Sequence, residues 1–285
     1  YNIAIVAAVR YKKFEQEGSF NVYGAEMPMY LDYNTLGLEG GLQYQVNSKF
    51  TFTLGFRNEK REVMHSEDAT GGEETKRTGL FGNLKLKLSK ALRMTADYQY
   101  GSYTDPFTSI SPTDFHRFRC TFKYKGKNLF LNGSFQYKLS ENDLDDMWKN
   151  ERSQLNLRAG YFDKKVKFGM GYNLIYSKNE GDRNFNFYGR SVTWNILNEG
   201  RTSLFDAYLY YKLDKKISVG AHGNYYKNDG YWELERTIIK PFIKYSFDNG
   251  FIGKLSYVYI DYKEIEYGMN NYNADIFEIS FGYKW

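Results

Sequence analysis

Residues 274–285 read Ala274-Asp275-Ile276-Phe277-Glu278-Ile279-Ser280-Phe281-Gly282-Tyr283-Lys284-Trp285. From Phe277 onward every second residue is large and apolar: Phe277, Ile279, Phe281, Tyr283 and Trp285. The residues between them, Glu278, Ser280, Gly282 and Lys284, are polar or small. Side chains alternate across the two faces of a strand, so this segment is a strand with one greasy and one polar face. A helix would repeat its apolar positions at intervals of three and four, and no run of comparable length does so.

The same alternation recurs from end to end. Leu36, Leu38, Leu42, Tyr44 and Val46 share one face across Gly40. Val166, Phe168, Met170, Tyr172, Leu174 and Tyr176 stand opposite Lys167, Gly169, Gly171, Asn173 and Ser177. Leu129, Leu131, Phe135, Tyr137 and Leu139 stand opposite Asn132, Ser134, Gln136 and Lys138. Counting such runs predicts about fourteen strands, at roughly 3–14, 33–46, 49–62, 76–89, 91–103, 115–125, 128–140, 151–163, 165–178, 202–213, 216–228, 236–248, 250–262 and 274–285. The connectors alternate between tight and long. The tight ones carry turn residues: Asn47-Ser48-Lys49, Ser89-Lys90-Ala91, Lys125-Gly126-Lys127, Asp163-Lys164-Lys165, Asp214-Lys215-Lys216 and Asp248-Asn249-Gly250. Longer polar stretches cover 64–75 and 179–201. The second contains Phe185, Phe187, Val192, Trp194 and Ile196. It reads either as an extra hairpin, which would give sixteen strands, or as a segment folded into the mouth of the sheet. No linker or low-complexity tract interrupts the meander, so residues 1–285 are expected to form a single domain.

Composition narrows the class. Aromatic residues make up 19% of the 285 residues, with 28 Tyr and 22 Phe, and only 4 Pro occur. So much Tyr, Phe, Ile and Leu excludes a disordered chain. No apolar stretch approaches the ~18 residues of a membrane helix, which leaves a membrane barrel open, since its strands are only half apolar. Cys120 is the sole cysteine, so neither an intrachain disulfide nor a thiolate zinc cluster can form. No Cys-x-x-Cys-His occurs, so no c-type haem is attached to the chain itself, and no cofactor is expected. The chain opens on Tyr1-Asn2-Ile3 and is read as a mature form with any signal removed.

A soluble β-sandwich also alternates, but three features favour the membrane. The runs have about 10–14 residues where the mean strand has ~5–6, and crossing a bilayer takes ~9–11 tilted residues. Short and long connectors alternate with parity, as short periplasmic turns and long external loops do. Aromatic residues gather at both ends of the greasy face. Tyr44, Phe50, Tyr124, Tyr161, Tyr211, Phe247, Phe251 and Trp285 lie near the tight turns. Tyr11, Tyr33, Phe56, Tyr100, Tyr137, Tyr176, Phe205, Tyr225 and Tyr259 lie near the long loops. Two belts of amphipathic rings fit two lipid–water interfaces. The fold class is therefore an all-β, antiparallel, up-and-down transmembrane β-barrel. Its even strand count places both termini in the periplasm, and its last strand is expected to close on the first.

With these runs in hand, the whole chain resembles the porin-like β-barrels of the Gram-negative outer membrane. Phe277-x-Ile279-x-Phe281-x-Tyr283-x-Trp285 matches their terminal-strand pattern. The resemblance implies that these five residues form the assembly signal read by the barrel-assembly machinery. It also implies contact with outer-membrane lipid and lipopolysaccharide. A weaker echo lies in Tyr103-Thr104-Asp105-Pro106-Phe107-Thr108 and Ser111-Pro112-Thr113-Asp114. It is similar to loops in the barrel component of porin–cytochrome electron conduits, whose barrels are usually much larger than this chain.

If the greasy face meets lipid, the other lines the interior. Its basic positions include Arg57, Arg117, Arg119, Arg158, Lys240, Lys244, Lys85 and Lys87, and its acidic ones Glu39, Asp97, Asp206 and Glu278. His222 is also expected there. Barrels of ~8 strands are filled by side chains and those of ~16–18 leave a channel, so fourteen strands suit a narrow aqueous pore. A basic surplus in such a tube concentrates anions. The expected function is passive diffusion of small polar or anionic solutes, without enzymatic activity. Two alternatives stand beside it: a structural sheath around a protein partner of the periplasm or outer membrane, such as a cytochrome, and a barrel enzyme. For the enzyme, His116 with Ser111 is the nearest catalytic pair. Glu141, Asp143, Asp145 and Asp146 lack the EF-hand glycine, and a solvated acidic loop is the simpler reading. No metal site and no nucleic-acid partner are expected.

Overall fold

The computed structural model describes residues 2–22, 25–66, 74–104, 113–142, 148–187, 190–230, 233–265 and 270–283, with the side chains of residues 14–33, 63–66, 74–75 and 182–196 outside the description. Every regular element among the described residues is a strand. In chain order they are β1 (Asn2–Val22), β2 (Ala25–Asn47), β3 (Phe50–Ser66), β4 (Glu74–Lys87), β5 (Leu92–Thr104), β6 (Asp114–Lys125) and β7 (Leu129–Asn142). The second half comprises β8 (Trp148–Phe162), β9 (Val166–Phe187), β10 (Arg190–Lys212), β11 (Ile217–Asp229), β12 (Leu234–Ser246), β13 (Phe251–Glu264) and β14 (Tyr272–Tyr283). They form one sheet in sequence order, each strand antiparallel to the next, with no crossover. Among the described residues the strand count is fourteen. The 179–201 stretch is neither an added hairpin nor a separate segment: β9 and β10 run through it, paired from Val166↔Tyr211 to Phe187↔Arg190.

The tight turns are held by their own side chains. Asn47 Oδ1 accepts hydrogen bonds from the amides of Lys49 (2.8 Å) and Phe50 (2.9 Å). Asp163 Oδ1 does the same for Lys165 and Val166, both at 2.7 Å, and Asp214 Oδ1 for Lys216 (2.6 Å) and Ile217 (2.7 Å). These amide donors hold both carboxyl groups below the usual aspartate range. Ser89 uses its hydroxyl in the same way on Ala91 and Leu92. Gly250 supplies the positive φ (87°) that the Asn249-Gly250 turn requires. Each of these turns fixes a register, and with it the face on which every following side chain lies.

The burial pattern is inverted relative to a soluble protein. Among the described residues only Phe115 (8%) and Val258 (6%) are buried hydrophobics, whereas Thr35, Thr53, Ser140, Asn142, Ser218 and Ser256 are buried. The accessible surface is 19625 Å², against about 13,000 Å² for a compact globular protein of this mass. A sandwich buries its apolar faces between two sheets; this single sheet turns them outward. Near the long-loop ends the outward tyrosines hydrogen-bond polar partners on the next strand. Tyr11 bonds Asn34 (2.9 Å), Tyr100 bonds Asp114 (2.9 Å), Tyr176 bonds Glu199 (3.1 Å), and Tyr257 bonds Asp275. Near the tight turns the rings meet each other, with Tyr245 against Phe247 at 4.7 Å and Phe251 against Tyr283 at 5.0 Å. An apolar ring with a hydrogen-bonded tip suits a lipid–water boundary. Of the residues named for the two belts, Tyr33 and Trp285 lie outside the described side chains.

Among the described residues no pairing joins β14 to β1. The expected closure of the last strand on the first is therefore absent from this sheet, and the exposures agree. Ile5 on β1 is 82% exposed and Phe281 on β14 is 79% exposed, while outward residues of inner strands are lower, such as Phe168 at 37% and Leu209 at 48%. An unpaired edge cannot persist in hydrocarbon, where each orphaned backbone group costs several kcal/mol. In a lipid nanodisc the edge amides of β1 and β14 are therefore expected to exchange as slowly as those of β7. Hydrogen exchange read by mass spectrometry tests this. Exchange within seconds confined to β1 and β14 would show that the edges stay open.

Candidate functional site

The register carries one polar face across the whole sheet. Glu39 lies opposite Arg57, and Lys85 opposite both Thr51 and Thr95. Lys87 faces Arg93, Asp97 faces Arg119, and Arg117 faces Gln99. Arg158 lies opposite Gly171, Gly171 opposite Asp206, and Asp206 opposite Asn224. His222 faces Lys240, and Lys244 faces Lys254. Ser256 faces Glu278. The structure thus places Arg57, Arg117, Arg119, Arg158, Lys240, Lys244, Lys85, Lys87, Glu39, Asp97, Asp206 and His222 on one face. The greasy set of the terminal strand, Phe277, Ile279, Phe281 and Tyr283, lies on the other.

Within that face the cations fall into two groups. Those of the first are braced. Glu39 sits between Arg10, at 3.0 Å, and Arg57. Glu59 lies 3.8 Å from Arg61 and 3.7 Å from Arg77, and Asp97 lies 3.9 Å from Arg117. Arg77 also lies over Phe115, at 4.5 Å, and over Tyr103, at 5.5 Å, and Lys138 approaches the Phe115 ring at 6.0 Å. Cations stacked on ring faces are held in place with part of their hydration shell removed. The Nε groups of Arg57, Arg77 and Arg117 are buried with no protein acceptor. Lys240 is braced too, by Glu278, which also accepts from Ser256 (3.2 Å).

The second group is free of such partners: Arg119, Arg158, Lys244, Lys85 and Lys87 pair with no carboxylate among the described residues. Asp206 forms no ion pair either. Its carboxylate lies over Gly171, where a Cβ would come within 2.4 Å of Oδ1. A second inward glycine, Gly101, is likewise approached by a charged group: its Cβ would come within 2.9 Å of Arg77 Nε and 2.4 Å of the Phe115 ring.

Sequence reading missed several members of this face. Arg77, Glu59, Arg61 and Arg152 lie on it, one to four alternations beyond the residues chosen from their strands. Extending the period of two outward would have found them. The catalytic pair is not assembled among the described residues. Ser111 lies outside them, and His116 is on the greasy face, its Nδ1 2.7 Å from the Tyr98 hydroxyl and its ring 4.9 Å from Tyr100. Of the acidic loop, Asp143, Asp145 and Asp146 lie outside the described residues, and Glu141 pairs with Lys149 at 3.3 Å. Cys120 lies opposite Ala96 and Phe135 on the greasy face.

No protein-family model matches the chain, and no curated protein matches it. Solved structures do. The copper transporter OprC aligns with 99% of this chain and 54% of its own length, with a TM-score of 0.66 at 10% identity. The closed form of the ferric-catecholate import receptor Fiu from E. coli K12 aligns with 99% of this chain and 62% of its own, with a TM-score of 0.51 at 6% identity. The fold is that of a Gram-negative outer-membrane β-barrel. The chain spans about half to three-fifths of the length of these two structures. In such a barrel wall the greasy face meets lipid and the external leaflet's lipopolysaccharide.

The Arg10–Glu39–Arg57 bridge is partly shielded, with the Glu39 and Arg57 side chains 13% and 18% exposed. Removing its shared charge leaves the repulsion between the Arg10 and Arg57 guanidinium groups without the anion that offsets it. Glu39→Gln is expected to cost about 1–2 kcal/mol in urea unfolding from lipid vesicles. Arg57→Met in the same chain should recover part of that loss. An unchanged midpoint for Glu39→Gln would show the bridge to be screened by water.

Proposed function

We propose that the polar face lines a water-filled passage through the outer membrane for passive diffusion of small polar or anionic solutes. The observation that supports this most is the division of its cations. Braced arginines keep their positions and so set the width of a passage. Unpaired Arg119, Arg158 and Lys244 remain available to an anion in transit. In a tube with low-dielectric walls such charges act over longer distances than at an open surface, drawing anions in and repelling cations. Arg77, stacked on Phe115 and Tyr103, resembles a fixed post more than a mobile ligand.

On this reading residues 1–285 act as a single barrel-wall domain with both termini on the tight-turn, periplasmic side. Phe277, Ile279, Phe281, Tyr283 and Trp285 serve as the assembly signal, read by the barrel-assembly machinery before lipid covers them. No catalytic role is assigned to any residue. A second reading, a sheath around a protein partner such as a cytochrome, gains support from the unpaired edges of β1 and β14. A sheet that does not close on fourteen strands suits a wider wall with room for a folded domain.

Planar-bilayer recording separates the readings. A passage should give discrete conductance steps, and under a salt gradient its reversal potential should favour anions. Arg119→Glu combined with Lys244→Glu is expected to reduce or reverse that preference. Absence of conductance, or cation preference in the unaltered chain, would overturn the anion-passage reading. An unchanged reversal potential in the double variant would remove those two residues from it. A purified protein without conductance but with Soret absorbance from a bound partner would favour the sheath.

A further inference from the structure

The tight-turn end of the polar face holds a cleft of about 760 Å³, reaching from the β4–β5 turn to β10. Its volume lies within the range of sites for small organic molecules. Five cations line it: Lys90, Arg93, Lys123, Lys125 and Lys167. No carboxylate lines it, and none of the five pairs with a carboxylate among the described residues. This sets the cleft apart from the braced arginines further along the same face. It also differs from the neighbouring 370 Å³ cleft, where Lys216 is bonded to Asp248 at 2.6 Å.

The floor between these charges is aromatic. Phe130, Phe162 and Tyr208 line the cleft, with the Phe130 and Phe162 centroids 6.5 Å apart. Two of the rings lie over glycines of adjacent strands. A Cβ on Gly160 would come within 2.4 Å of the Phe130 ring, and one on Gly169 within 2.4 Å of the Tyr208 ring. The glycines therefore let the rings lie against the sheet and form a floor, instead of standing up into the cleft. A simple inorganic anion would use the charges and leave this apolar floor wet. A flat molecule carrying several negative groups would use both.

We propose that this cleft is a binding site for a small organic polyanion with an aromatic body. The rings stack on that body, while the surrounding ammonium and guanidinium groups take its negative groups. Stacking and charge act together, so neither alone accounts for the affinity.

The test uses the full chain in zwitterionic nanodiscs and a fluorescent pyrene trisulfonate, read by fluorescence anisotropy against empty nanodiscs. Saturable, salt-sensitive binding is expected. Lys123→Gln with Lys167→Gln should weaken it at least tenfold. Phe130→Leu should weaken it several-fold while leaving its salt dependence unchanged. Pyrophosphate at the same concentration should compete poorly. Folding of each variant is checked by its mobility on an unheated gel. Binding that the lysine pair does not alter would overturn the proposal. So would competition by pyrophosphate equal to that of the unlabelled trisulfonate, which would reduce the cleft to a patch of charge. The measurement needs no current, so a chain that fails to conduct can still pass or fail it.

Discussion

Hydrocarbon cannot hydrogen-bond a peptide group, and the rest of this architecture follows from that fact. Among the described residues no helix is long and apolar enough to cross a membrane, so they can enter a bilayer only as strands that satisfy one another. Each inner strand here does so on both sides, through twelve successive antiparallel neighbours between β1 and β14. The same requirement turns the burial pattern outward. With lipid as the solvent of one face, Leu, Ile and Phe gain nothing from a shared core, and Thr, Ser and Asn fill the shielded places instead. It also singles out β1 and β14 as the two places where the sheet is incomplete.

Pairing alone would not fix which side chain faces lipid. A slip of one residue exchanges the two faces entirely. The tight turns prevent it, because Asn47, Asp163 and Asp214 each bind two amides of their own turn and so count the residues between strands. The faces then stay in phase across the sheet. Glu39 on β2, Arg158 on β8 and Lys244 on β12 share a surface although more than two hundred residues separate the first from the last.

Much of this was legible in the sequence. Period-two runs and Asx or Gly turns gave the strand number, the meander order and the face on which the described lumen-side candidates lie, because those depend on local spacing. What was not legible depended on distance between strands. Whether Glu39 braces Arg57 or Asp97 braces Arg117 is set by side-chain reach after pairing, and Arg77 acquires its meaning only beside Phe115. The 179–201 stretch misled for a different reason. Its Phe185, Val192 and Trp194 look like a hairpin of their own, yet they continue β9 and β10 beyond the length a bilayer needs. Closure is a step that local spacing leaves open: an even strand count makes it available, while curvature, which a sequence pattern does not encode, decides it, and among the described residues no pairing joins β14 to β1.

The distribution of positive charge along the polar face then has a direction. Away from the tight turns, arginines are matched by Glu39, Glu59 and Asp97 and pinned on rings. Toward the tight turns, Arg93, Lys123 and Lys167 pair with no carboxylate among the described residues, and Lys167 lies over the Tyr210 ring at 5.6 Å. A potential that rises toward one end favours entry of anions and slows their exit there, and conduction requires that the hold be weak enough to release. On the proposed passage, a small solute would move through such a region because it engages one or two charges at a time. A flat polyanion would engage several at once together with the rings of Phe130 and Tyr208, so lysines that would hasten small anions would retain a large one.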